Sequence, residues 1–189
     1  MKAFKIGLVA FLMLSSVLIS VKAQGWVQNK KSIYSVGMGL TQVMFIPLHD
    51  YPLNHKGSVG ISVNVSGEYK AHRFIGVGWQ TGISVFPSGR YYDKPNDIYY
   101  NSTFVGIPFG FKVNFHILEA ANVAIKDRLD VYAGLNLGGG PSFYNVQHIG
   151  IHGFIYGGAQ VGIRYWVKKI AVFAELGWGA NIANIGITF

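Results

Sequence analysis

The chain has 189 residues, about one domain, with half of them hydrophobic, 13% charged and a net charge of +8. An average soluble domain carries about 25% charged residues, so this composition disfavours an ordinary soluble surface. The absence of cysteine excludes a disulfide framework and any thiolate metal site.

The first residues account for part of the hydrophobicity. A short basic region, MKAFK, precedes an apolar run of 16 residues from Ile6 to Val21. That length suits the core of a signal peptide and is short for a membrane helix. Val21 and Ala23 occupy the small-residue positions before a cut. The expectation is a signal peptide over 1–23 and a mature domain over 24–189 that starts at Gln24. An uncleaved N-terminal anchor is the alternative. Cleavage removes Lys2, Lys5 and Lys22, and the net charge falls from +8 to +5. The remaining basic residues are scattered, which argues against a nucleic-acid partner.

The mature chain shows strand periodicity, not helical periodicity. Eight segments alternate apolar and small or polar residues. They are YSVGMGLTQ (Tyr34 to Gln42), SVGISVNVSGEY (Ser58 to Tyr69), FIGVGWQTGISVF (Phe74 to Phe86) and STFVGIPFGFKVNF (Ser102 to Phe115), then DVYAGLNLGGG (Asp130 to Gly140), FIYGGAQVGIRYWV (Phe154 to Val167), AVFAELGW (Ala171 to Trp178) and NIGITF (Asn184 to Phe189). In the third segment, Ile75, Val77, Trp79, Ile83 and Val85 share one face. Gly76, Gly78, Gln80, Gly82 and Ser84 share the other. Pro108 interrupts the fourth segment and is read as a local bulge, because proline cannot donate to a ladder.

If the apolar faces pointed inward, the solvent face would be mostly glycine, which is a poor soluble surface. Outward-facing apolar side chains and an interior of glycine, serine, asparagine and a few charges suit a closed barrel in lipid, where every backbone amide must be paired. The expected fold is all-β: an eight-stranded antiparallel up-and-down transmembrane β-barrel. Long gaps at PLHDYPLNHKG, PSGRYYDKPND and PSFYNVQHIGIH alternate with short ones at KAHR and KK. Short turns belong to the periplasmic side, so both termini are expected there. The connection from His116 to Leu129 is long for that side and is read as a helical turn or a strand extension. Tyr34, Tyr69, Phe115, Tyr165, Trp166 and Phe189 are expected in one aromatic girdle, and Phe86, Tyr99 and Trp178 in the other.

In this arrangement Glu68, Lys112, Asp130, Arg164 and Glu175 project into the lumen near the turn end. The KK hairpin sets Glu175 opposite Gly162, and the glycine gives Arg164 room to lie across and pair with Glu175. These residues plug a narrow lumen; the alternative is a gate for small ions. His49, Asp50 and His55 share one outer loop, and His148 and His152 share another. They are read as solvated residues, so neither metal nor cofactor is implied. No histidine has a serine two residues away, so no catalytic residue is assigned and no enzyme activity is expected; a lipid-modifying enzyme is the third class considered. Tyr51, Tyr91, Tyr92, Phe143 and Tyr144 in the outer loops are candidate contacts for a surface ligand.

The signal peptide, GIPFGFKVNF, VFAELGWG and the closing NIGITF together resemble the small outer-membrane β-barrel domain family of Gram-negative bacteria, porin-like or OmpX-like. The resemblance covers essentially the whole mature chain. It implies a monomer in the cell outer membrane whose partners are outer-membrane lipid and, during biogenesis, the barrel-assembly machinery. It also implies that Phe189 is the assembly signal; Thr188 departs from the usual penultimate residue. The role implied is structural or interactive at the surface, with a narrow channel as the alternative.

Overall fold

The computed structural model describes residues 31–42, 46–47, 59–93, 96–146 and 148–189. The segment expected to be a signal peptide, and the loop residues His49, Asp50, Tyr51 and His55, lie outside them. The strands are β1 (Ser32–Gln42), β2 (Ile46–Pro47), β3 (Val59–His72), β4 (Ile75–Asp93), β5 (Ile98–Gly106), β6 (Phe109–His116), β7 (Leu129–Val146), β8 (His148–Val167), β9 (Ile170–Gly177) and β10 (Ala183–Thr188). Between β6 and β7 lie a single helical turn, α1 (Ile117–Ala120), and a 3-10 turn over Ala124–Asp127.

Every pairing is antiparallel. β5 and β6 form one stave, since β4 pairs with both on one side and β7 with both on the other. Counted so, β1, β3, β4, β5/β6, β7, β8, β9 and β10 make a ring of eight, and β1 closes it by pairing with both β3 and β10. Tyr34 and Phe189 complete the seam with a reciprocal pair of backbone hydrogen bonds at 3.0 and 2.8 Å. A ring leaves the staves no open edge, which is what a sheet surrounded by lipid requires.

The two ends differ. Arg73–Phe74, Lys168–Lys169 and the connection from α1 to the 3-10 turn lie at one end, with Ser32 and Phe189. We call this the turn end. Lys168 has φ of 59°, the left-handed conformation that a two-residue hairpin favours. At the other, loop end, two expected loops are strands instead. β4 runs on to Asp93 and β5 starts at Ile98; β7 runs on to Val146 and β8 starts at His148. Tyr91, Tyr92, Phe143, Tyr144, His148 and His152 therefore sit in paired strands, not in loops. Their segments are rich in polar and glycine residues, which hid a ladder that continues past the apolar band.

Pro108 is not a bulge. Ser84 faces Gly106 and Thr81 faces Phe109, so neither strand gains a residue across the break. The ladder lapses at Ile107 and Pro108. Ile107 N–H still donates to the Pro141 carbonyl at 3.0 Å, and the Pro108 carbonyl accepts from Gly82 N–H at 3.2 Å. The alternation of inward and outward residues continues in phase from Thr103 to His116.

The faces are inside out relative to a soluble barrel. Val63, Val77, Phe111 and Leu176 are 53, 40, 67 and 62% exposed, whereas Arg164, Asn114 and Thr188 are at most 1% exposed. Tyr34, Tyr69, Phe115, Tyr165 and Phe189 face outward near the turn end, and Trp178 near the loop end. The side chain of Tyr99 lies outside those described, and among the described ones two aromatics expected in the girdles do not face outward. Trp166 is buried with Ile33 and Ala171 at the turn-end mouth. Phe86 is buried against Phe104, with ring centroids 5.1 Å apart. Each occupies a polar-face position in the alternation, so the period decides its direction, not its hydrophobicity. Among the described residues no helix is long and apolar enough to cross a membrane.

Candidate functional site

The polar faces of the eight staves converge on the barrel axis, and the charged residues gather toward the turn end. An eight-stranded barrel has an interior only wide enough for side chains, so each large inward residue needs space from a neighbour. Glycines supply it. A Cβ on Gly76 would collide with the Glu68 carboxylate, and one on Gly134 with the Asn114 side-chain oxygen.

Glu68, Lys112, Asp130, Arg164 and Glu175 lie on the inner face of the staves, in two groups. In the first, Arg164 bridges two carboxylates. Its Nη2 donates to Glu68 Oε2 at 2.7 Å and its Nη1 to Asp130 Oδ2 at 3.1 Å. In the second, Glu175 accepts from three elements: Tyr132 hydroxyl at 2.6 Å, Asn184 Nδ2 at 3.0 Å and Lys112 Nζ at 3.5 Å. Lys112, Glu68, Asp130 and Arg164 are all buried.

The expected Glu175–Arg164 ion pair is not formed. The register behind it is right, since Gly162 faces Glu175 across β8 and β9. Gly162 also faces Tyr132 across β7 and β8, and the Tyr132 ring fills the space the glycine leaves. Arg164 then lies over that ring, its guanidinium carbon 4.2 Å from the centroid. The arginine turns toward Glu68 and Asp130, and the tyrosine hydroxyl takes its place at Glu175.

His116 is the residue that sequence reasoning missed. The sequence pattern places it in the connection after β6, but it ends β6 on the polar face, in phase with Lys112 and Asn114. Its ring is 1% exposed, with Nε2 2.6 Å from Glu68 Oε1 and Nδ1 2.7 Å from Asp130 Oδ1. Both ring nitrogens face carboxylate oxygens, so two protons are shared among the ring and the two acids. With an imidazolium there, the cluster holds three carboxylates (Glu68, Asp130, Glu175) and three cations (Lys112, Arg164, His116). A neutral set is what a low-dielectric interior demands, because one unpaired buried charge costs several kcal/mol. The alternation of FGFKVNFH was the available signal.

Amides extend the network toward the loop end. Asn114 donates to Glu68 at 2.8 Å and accepts from Gln160 at 3.1 Å. Asn64 and Asn184 form a reciprocal amide pair at 3.0 and 3.2 Å. Gln80 donates to the Tyr156 hydroxyl at 3.1 Å. A lumen cavity lined in part by Ser62, Gln80, Tyr156 and Asn181 measures about 10 Å³, near the size of one water. Among the described residues no group of histidine, aspartate and glutamate is arranged to hold a metal ion. Arg164 occupies the position between Glu68 and Asp130 that a cation would need.

No family model matches the chain, and no curated protein is similar to it in sequence. Solved structures are similar in fold. Neisserial surface protein A aligns with a TM-score of 0.50 at 10% identity, over 83% of this chain and 94% of that one. The N-terminal β-barrel domain of Pseudomonas aeruginosa OprF aligns with a TM-score of 0.49 at 14% identity, over 86% and 98%. Ail, the attachment invasion locus protein of Yersinia pestis, aligns with a TM-score of 0.42 at 12% identity, over 84% and 95%. At these identities the likeness is one of fold. The alignment with the neisserial protein and the ring of eight antiparallel staves agree on an eight-stranded transmembrane β-barrel.

Proposed function

We propose that this chain is an integral outer-membrane β-barrel protein of a Gram-negative bacterium, monomeric and without catalysis, whose lumen is plugged by its own side chains and whose role is structural or interactive at the cell surface. The turn end lies in the periplasm. The observation that carries this reading is the pairing of a charge-balanced, hydrogen-bonded interior with an apolar outer face. Glu68, His116 and Asp130 resemble the parts of a proton relay, but they are at most 8% exposed and closed off by Arg164. The β4–β5 and β7–β8 hairpins carry tyrosine and are the proposed surface-contact elements. Phe189 is the proposed recognition residue for assembly, since its ring is exposed while its backbone is paired. Likeness to the OmpX-like group in particular rests on the motifs alone.

A narrow channel is the second reading. The observation in its favour is the Lys112–Glu175 contact, which at 3.5 Å is looser than the other ion pairs of the lumen. Planar-bilayer recording on refolded protein separates the two. The plug predicts no unitary steps; reproducible single-channel steps would replace it with the channel.

A further inference from the structure

The outer face has an apolar depression. Two small residues, Ala133 and Ala159, line it together with Phe115, Leu135, Leu176 and Trp178. It measures about 490 Å³ and its lining is almost wholly apolar. Other outward positions on the same staves carry larger side chains, such as Leu137 and Ile155.

A second feature lies below it on the same strand. At the foot of β8, Asp127, Arg128, Tyr165, Trp166, Val167 and Lys168 enclose a cavity of about 200 Å³ with equal polar and apolar lining. Asp127 lines this cavity, and one of its carboxylate oxygens has no hydrogen-bond partner among the described residues. Arg128 and Lys168 form no ion pair among them either. The cavity therefore brings two cations and one carboxylate beside the exposed Tyr165 ring, and exposed tyrosine is enriched where a membrane meets water.

The spacing connects the two. From Tyr165 to Ala159 is six residues of strand, about 20 Å along β8. At the tilt of a membrane strand that is about 15 Å of depth, half of the hydrocarbon core. A molecule with its polar group in the lower cavity would reach the depression with an acyl chain.

We propose that this strip is a binding site for one phosphatidylethanolamine molecule of the leaflet at the turn end. The phosphate sits between Arg128 and Lys168, the ammonium donates to Asp127, and one acyl chain lies over Ala133 and Ala159. Charge of both signs in the lower cavity favours a zwitterionic headgroup that carries N–H donors. Phosphatidylcholine has no such donor, and phosphatidylglycerol has no ammonium. The inference rests on the membrane-barrel reading above.

The test is native mass spectrometry of the full chain released from nanodiscs of phosphatidylcholine with a minor fraction of phosphatidylethanolamine or phosphatidylglycerol. Heat-modifiable gel mobility first establishes that each sample is folded. One phosphatidylethanolamine should be retained about tenfold above its bulk fraction, as one well-made ionic contact allows. Asp127→Asn and the double variant Arg128→Gln/Lys168→Gln should each bring it back toward that fraction. Ala159→Phe, on the outer face, should do the same by filling the depression. A folded barrel that retains the lipids in bulk proportion, or phosphatidylglycerol as well as phosphatidylethanolamine, overturns the site and leaves the barrel standing. Failure to fold in any of the lipids overturns the barrel reading itself.

Discussion

The Tyr132 ring fills the space that Gly162 leaves on the facing strand, and this packing decides which charges of the lumen meet. It blocks Arg164 from Glu175, sends the guanidinium to Glu68 and Asp130, and gives Glu175 a hydroxyl donor in its place.

Gly162→Ala should therefore destabilise the barrel, because a Cβ there meets the ring of Tyr132. Overpacking of this kind costs about 1–3 kcal/mol. Gly157→Ala is the control. Its Cβ would meet Leu137 at 3.5 Å and a backbone oxygen at 3.9 Å, ordinary contact distances. Urea unfolding in lipid vesicles should separate the two variants, with Gly157→Ala close to wild type.

Arg164→Met should be the most damaging single change in the lumen. It leaves Glu68 and Asp130 with His116 as the one cation touching both. Breaking one side of a buried ionic cluster costs about 3–5 kcal/mol. The urea midpoint in vesicles reads this directly, and a midpoint equal to that of wild type would show that the cluster carries no net stability.

Glu175 should be coupled more strongly to Lys112 and Tyr132 than to Arg164. In double-mutant cycles, Glu175→Gln with Lys112→Met should show an interaction energy of about 0.5–3 kcal/mol, the range for residues in contact. Glu175→Gln with Arg164→Met should show less. The reverse order would restore the pairing expected from the strand register alone.

Phe189→Ala should act on assembly more than on stability. The ring is exposed, whereas the backbone bonds to Tyr34 survive the change. Refolded protein should unfold as wild type does, and the amount of folded barrel in outer-membrane fractions should fall. An unchanged amount in cells would remove Phe189 as a recognition residue.

Most of the fold was legible because strand period and lipid exposure speak together. Val63, Val77, Phe111 and Leu176 recur at every second residue, and the small or polar residues between them could face only a narrow interior. The same alternation held the correct directions of Trp166, Phe86 and His116. Their chemistry suggested girdle, girdle and loop, and for all three the phase of the strand was the better guide. What was illegible depends on contacts across the ring. Glu68 and Arg164 lie 96 residues apart in sequence and on staves that are not neighbours. No local pattern reports which rotamer Arg164 adopts once Tyr132 has taken the space beside Gly162. The hairpin extensions were missed for a simpler reason: past the apolar band, polar strands and polar loops have the same composition.

In this barrel the large apolar side chains face acyl chains while the polar ones meet on the axis. Methyl NMR of the refolded protein in lipid nanodiscs, with a relaxation agent carried on an acyl chain, tests it most directly. The methyl signals of Val63, Val77, Leu135 and Leu176 should be strongly broadened, and those of the inward-facing Thr41 and Thr188 should stay sharp. Sharp valine and leucine signals beside broadened threonine signals would put the apolar side chains on the axis and the polar ones in lipid.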